Sequence, residues 1–183
     1  LDRSLSAVEP ARAGDAAEPF GDDVLAPART MIAVYRQGWS YRPVDAVRMF
    51  SRARYFLVTV YRIRAGSEAD FGDLVRMRRA AADAANLDRP ELTYQVVSGA
   101  PGGTYFFLAP LTSLTTLDNG MGPLPVYAEG LAAARAEQGP KIAAEAEMSR
   151  ERLLFRVDPR ISYVSAGFAG ADGVFWHGKP KRP

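Results

Sequence analysis

The sequence predicts an α+β domain in which one antiparallel sheet is covered by helices on a single face, and three observations predict it. Tyr55–Arg64, Glu91–Ser98, Thr104–Leu111 and Arg152–Val157 are rich in β-branched and aromatic residues and alternate as strands do. Stretches of helical periodicity separate the first two and the last two, giving the order β-α-β-β-α-β. The chain has 183 residues, 48% of them apolar and 24% charged, enough for a core without metal or disulfide support.

The first strand, YFLVTVYRIR, puts Tyr55, Leu57, Thr59, Tyr61 and Ile63 on one face and Phe56, Val58, Val60, Arg62 and Arg64 on the other. The second set is purely apolar until the strand ends, so it is expected under the helices. Ala65-Gly66 turns the chain, and Ser67-Glu68-Ala69-Asp70 reads as a capping-box-like helix start. The helix is expected to reach about Asn86, with Phe71, Leu74, Val75, Ala81, Ala82 and Ala85 forming one amphipathic stripe. Arg78 lies inside that stripe, and its stem is expected to cross the small alanines with the guanidinium in water.

The two middle strands are joined by Gly99-Ala100-Pro101-Gly102-Gly103, which makes them a hairpin. That glycine cluster leads into a strand and lacks a Gly-Lys-Ser/Thr ending, so it is a turn and not a phosphate cradle. Ser113–Asp118 is a short helical start, broken by NGMGPLP. An alanine-rich helix is expected from near Val126, interrupted at Gly139-Pro140 and continuing to about Arg150. After the last strand and Asp158-Pro159, the tail carries Phe168, Phe175 and Trp176, an aromatic content that predicts docking.

An internal repeat is visible upstream. Met31–Tyr41 aligns with Leu153–Tyr163 as an apolar strand, a turn and a shared Ser-Tyr, and Ser4–Glu9 aligns with Ser113–Asp118. Residues 1–43 are therefore expected to be the helix-and-strand half of a second unit, residues 44–165 a complete unit, and residues 166–183 a tail.

Composition removes much chemistry. There is no cysteine, so thiolate metal sites, disulfides and cysteine nucleophiles are excluded. His177 is the sole histidine, which leaves no multi-histidine metal site within one chain and no support for a histidine-ligated haem. Net charge is +2, and the 23 basic residues are interspersed with 21 acidic ones, which disfavours nucleic acid as a partner. No run approaches the ~20 apolar residues of a membrane span. The chain opens at Leu1 rather than Met, so an upstream segment is expected, and cytoplasmic and exported locations both stay open.

The β-α-β-β-α-β order is the ferredoxin-like pattern. With RTMIAVYR at 29–36, RYFLVTVYRIRAG at 54–66, YQVVSGAPGGTY at 94–105 and FRVDPRISYVS at 155–165, the chain resembles the dimeric α/β-barrel superfamily. It is most similar to uncharacterised bacterial two-unit proteins distantly similar to the NIPSNAP and antibiotic-biosynthesis monooxygenase families. The resemblance implies two sheets packed face to face around a central cavity, and a chain with one complete unit and part of another is expected to bury its open face against a second copy as a homodimer. It carries over no catalytic residue, because these motifs are strands and turns, and no cofactor.

Alternation alone places Thr59, Tyr61, Thr93, Gln95, Tyr105, Phe107 and Arg156 on the face turned away from the helices. Of these, Thr59, Tyr61, Gln95, Tyr105, Phe107 and Arg156 are the expected lining of an aromatic cavity with a few polar groups. Three functions are compatible with such a lining. The leading one is a barrel-type domain that binds a small apolar or aromatic ligand between sheets. The others are a structural pairing module without ligand and a cofactor-independent monooxygenase- or isomerase-like enzyme.

Overall fold

The computed structural model describes residues 30–120 and 133–178. Packing divides the chain into Leu1–Thr30 and Met31–Pro183, and everything below concerns the second unit. In chain order its elements are β1 (Ile32–Tyr35), α1 (Pro43–Met49), β2 (Tyr55–Ile63), α2 (Glu68–Ala84), β3 (Leu92–Ser98), β4 (Thr104–Leu111), α3 (Thr115–Gly120), α4 (Ala133–Ala146), β5 (Glu147–Arg156), α5 (Ala166–Ala169) and α6 (Gly173–His177).

The strands form one five-stranded sheet in the order β1-β3-β4-β2-β5, every neighbouring pair antiparallel. Strand β4 lies between β2 and β3, and β2 lies between β4 and β5. The connections from β2 to β3 and from β4 to β5 therefore each skip one strand, an arrangement compatible with a ferredoxin-like fold. The strand expected within residues 1–43 is present as β1, added to the β3 edge. Its upstream companion in the repeat, Ser4–Glu9, lies outside the described residues.

Helix α2 follows the expected stripe as far as Ala82, since Phe71, Leu74, Val75, Ala81 and Ala82 are all buried, whereas Ala85, its last expected member, lies past the helix end and is half-buried. Its start differs from expectation. The Ser67 side chain makes no cap bond; instead the Gly66 N–H donates to Glu68 Oε2 at 3.0 Å, and Glu68 and Asp70 put negative charge in the first turn. Asn86 ends the helix as expected, in the left-handed region at φ 47°, while the Leu87 N–H reaches back to the Ala82 carbonyl at 3.0 Å.

Two boundaries in the second half also depart from the sequence reading. Helix α4 runs through Gly139-Pro140 without a break and ends at Ala146. Ile142, Ala143 and Ala146 pack on the core from beyond the proline, and their burial offsets the N–H that Pro140 lacks. Strand β5 then begins at Glu147, five residues earlier than expected, because β2 supplies a partner as far as Ile63↔Glu147. Its polar start, Glu147-Met148-Ser149-Arg150, does not look like a strand because an edge strand in solvent needs no apolar face. The expected helix start near Val126 lies outside the described residues.

The core is a set of rings. Phe71 packs against Tyr61, Tyr105 and Phe107 at centroid distances of 5.2, 5.4 and 6.3 Å, and Trp39 closes the group at 5.7 Å from Phe71 and 5.1 Å from Tyr105. Gly72 makes that approach possible, since a β-carbon there would lie 2.9 Å from Trp39 Cζ2. Glycine inside a helix costs roughly 1 kcal/mol against alanine, and here the indole takes the space.

The aromatic tail docks as expected. The Trp176 indole N–H donates to the Ser51 carbonyl at 2.8 Å, Asp172 is ion-paired with Arg54, and the Arg54 guanidinium lies 3.7 Å over the Phe175 ring. The tail thereby holds the turn Phe50–Arg52 against the start of β2.

The hairpin turn supplies a test of this packing. Gly103 has φ +72°, its carbonyl accepts the Ile63 N–H at 2.9 Å, and a β-carbon there would stand 2.4 Å from the Ile63 oxygen. We expect Gly103→Ala to lose ~2 kcal/mol or more in urea denaturation. Gly102→Ala, with nothing within 4 Å, should change stability by less than ~0.5 kcal/mol.

Candidate functional site

Register places the side chains on the two faces of the sheet, because directly opposed residues share a face. Tyr61 opposes Tyr105, Thr59 opposes Phe107, Phe107 opposes Thr93, Tyr105 opposes Gln95, and Tyr55 opposes Arg156. The set read from alternation, Thr59, Tyr61, Thr93, Gln95, Tyr105, Phe107 and Arg156, is therefore brought to one face, as expected. That face is the opposite of the one expected. Tyr61, Tyr105 and Phe107 form the ring core with Phe71, Leu74 and Val75 of α2 and Ala146 of α4, so both long helices cover it.

The reason for the inversion lies in the chemistry of tyrosine and threonine. Tyr61 and Tyr105 bury their rings and keep a hydroxyl that can be bonded, so a core position suits them as well as a cavity does. Arg78 donates to the Tyr61 hydroxyl at 3.1 Å and to Glu147 Oε1 at 3.2 Å. Its guanidinium is thus engaged between α2, β2 and β5 rather than left in water. Thr93 is buried with its hydroxyl on the Trp39 carbonyl at 3.2 Å, and Thr59, on the far side of Phe107, is buried as well. Of the remaining expected residues, Gln95 is half-buried on β3 and Arg156 is exposed on the outer strand.

The face turned away from α2 and α4 is formed by the other parity, and the turn that follows α1 packs on its lower end. Its centre consists of Val58 and Val60 of β2 and Phe106 and Leu108 of β4, flanked by Leu92, Tyr94 and Val96 of β3 and by Leu153 and Phe155 of β5. At its lower end Phe50 meets Phe56 edge-on at 5.3 Å, and Pro110, opposite Phe56, is fully buried. At the β1 end Tyr35 opposes Tyr94 with ring centroids 5.7 Å apart. Burial, reinforced by Tyr35, raises the Tyr94 phenol above its ordinary pKa, so Tyr94 is a neutral hydrogen-bonding group at neutral pH. The arrangement is an apolar floor with two phenols at one margin and Arg62 and Glu151 at others, a surface suited to apolar or aromatic contact.

Sequence reasoning missed Tyr35, Tyr94, Phe106 and Leu108 as members of this face. The available signal was the hairpin itself: a turn at Gly99–Gly103 pairs Ser98 with Thr104 and hence Tyr94 with Leu108, two residues from the observed Tyr94↔Phe106 but with the same parity, so Tyr94, Phe106 and Leu108 share a face in either register. Among the described residues no three His, Cys, Asp or Glu side chains stand together as a metal site. No described helix is long and apolar enough to cross a membrane. Compared with known proteins, the chain matches no family model, no curated protein and no solved structure.

One acidic group on the helix side titrates unusually. Burial pushes Glu91 up to about 7, against the pull of Arg89, Arg78 and Arg152. A carboxylate whose folded pKa lies above its ordinary 4.5 gives stability that is complete below about 4.5 and lost as pH rises through 7. We expect wild-type protein to lose up to about 3 kcal/mol between these limits relative to Glu91→Gln. Urea denaturation of both proteins at pH 4.5 and pH 8 checks this, and parallel pH profiles would refute it.

Proposed function

We propose that this protein is a non-catalytic pairing and binding domain of the dimeric α/β-barrel type. In this reading the face of one ferredoxin-like unit that is turned away from α2 and α4 closes on the same face of a second copy, and a small apolar or aromatic ligand lies between the sheets. The observation that carries the reading is the make-up of that face: its centre is Val58, Val60, Phe106 and Leu108, with no ionisable side chain among them. Exposing such a surface to water costs free energy, and covering it is favourable by roughly 25 cal/mol per Å² of apolar area. A two-fold axis brings identical apolar patches together, which makes the second copy a self-complementary cover.

The hydroxyls of Tyr35 and Tyr94 supply the few polar contacts that orient a ligand in an otherwise apolar site. Within the same proposal, β1 is the strand that a partial first unit, residues 1–43, adds to the sheet. Kinship with two-unit proteins distantly similar to the NIPSNAP and monooxygenase-like families is part of it as well. The enzyme alternative has less support, because the tyrosines and the arginine expected to do chemistry lie on the helix-covered side.

Phe155, 53% exposed on this face, offers a substitution that the fold tolerates. Phe155→Glu is expected to keep the native circular dichroism and to lower the mass of the assembly in light scattering, weakening face-to-face association at least tenfold. In thermal-shift screening, apolar aromatic compounds are expected to raise the melting temperature of the wild type and to have a smaller effect on the variant. Equal masses for both proteins, with no compound producing a shift, would refute the proposal.

A further inference from the structure

The two edges of the sheet are built differently. At one edge β5 runs for ten residues with Glu147, Arg150, Glu151, Arg152 and Arg156 along it. At the other, β1 carries no charge; Ile32, Val34 and Tyr35 are 42%, 48% and 41% exposed, with Met31 and Val97 exposed beside them. An unpaired edge is a template for another strand, and charge is a common way of blocking it.

The charges decide which edge can accept its own copy. A two-fold axis that joins two identical edges runs perpendicular to the sheet, so it keeps faces and sets residues of the same parity opposite each other. For β5, a register centred on Arg150, Glu151 or Arg152 sets that residue against itself. Centring on Ser149 opposes Glu147 with Glu151; centring on Leu153 opposes Arg150 with Arg156; centring on Leu154 opposes Arg152 with Arg156. Like charges directly opposite are unfavourable, so β5 resists self-pairing. For β1, registers centred on Ala33, Val34 or Tyr35 oppose no two like charges.

The backbone of β1 is oriented for the same contact. The Arg36 N–H donates to the Thr93 carbonyl at 2.8 Å, so alternation turns the N–H groups of Val34 and Arg36 toward β3. The N–H and carbonyl groups of Ala33 and Tyr35 then point away from β3, on the side where no described strand pairs with β1.

We propose that β1 is a second self-association surface, taken up by β1 of another copy running antiparallel, so that two five-stranded sheets become one. This contact uses a different surface from the apolar face and stands independently of it. Pairing of four-residue edges is modest in extent, and Ile32, Val34 and Tyr35 add apolar contacts on both sides of the joint.

The chain contains no cysteine, so one introduced thiol reports the contact without background. Val34 and Leu154 are each 48% exposed, on opposite edges of the sheet, which makes them a matched pair. Under mild oxidation of the full chain at micromolar concentration, Val34→Cys is expected to form a disulfide-linked dimer at least tenfold faster than Leu154→Cys. Adding Ala33→Pro, which removes an outward N–H and no bond to β3, should abolish that advantage while leaving the circular dichroism native. Val34→Lys, which retains the whole backbone, should lower the assembly mass in light scattering. Adding Phe155→Glu to Val34→Cys should leave the cross-linking rate unchanged, which separates failure of this contact from failure of the face-to-face one. Equal rates for the two cysteine variants, or an undiminished rate with Ala33→Pro, would overturn the proposal.

Discussion

Phe71 sits at the point where a helix meets the sheet, and the rest of the unit is arranged around where its ring goes. It packs on Tyr61 of β2 and on Tyr105 and Phe107 of β4, with Trp39 folded over from the segment after β1. Side chains along a strand alternate strictly, so committing Tyr61 to the helix side also commits Thr59 and Ile63 to it and sends Val58 and Val60 to the other side. The partner strands follow through their register. One aromatic contact thereby sorts the residues of a whole sheet between a packed core and an open face.

The polar groups near this core are arranged around the same commitment. Arg78 rises from the buried stripe of α2, and its guanidinium spans the Tyr61 hydroxyl and Glu147. Tyr41 donates its hydroxyl to the carbonyls of Ala82 and Leu87 at 3.1 Å each, tying the end of α2 to the segment that leaves β1. Among the described residues no buried side-chain nitrogen or oxygen lacks a hydrogen-bond partner. A satisfied interior of this kind specifies one packing, because each displaced partner would leave a polar atom dry. The face turned away from α2 and α4 is centred instead on Val58, Val60, Phe106 and Leu108, which have no polar side-chain atoms to satisfy.

Much of the architecture was legible because it follows from short-range chemistry. The stripe of α2, the hairpin around Gly99–Gly103, the strand at Ile32–Tyr35 and the docking of the aromatic tail each depend on spacing, turn residues or composition within a few positions. The boundaries of β5 and α4 were not legible. Glu147–Arg150 becomes strand only because β2 extends far enough to pair with it, and α4 passes Pro140 only because Ile142, Ala143 and Ala146 find the core. Both are contacts between residues far apart in sequence, and local propensity is silent about them.

By itself, the sequence determined which residues travel together. Alternation and the hairpin set Thr59, Tyr61, Gln95, Tyr105, Phe107 and Arg156 on one face, and they are on one face. Tertiary structure alone decided which face that is. Both sides of β2 can be buried: one is purely aliphatic and aromatic until Arg62, the other mixes tyrosine, threonine and isoleucine. Hydrophobicity ranks the first higher, yet shape complementarity with Phe71 and Trp39, and a hydrogen-bond partner in Arg78 for the Tyr61 hydroxyl, favour the second. Those terms arise only when α2 is laid across the sheet, and for that reason no reading of β2 alone contains them.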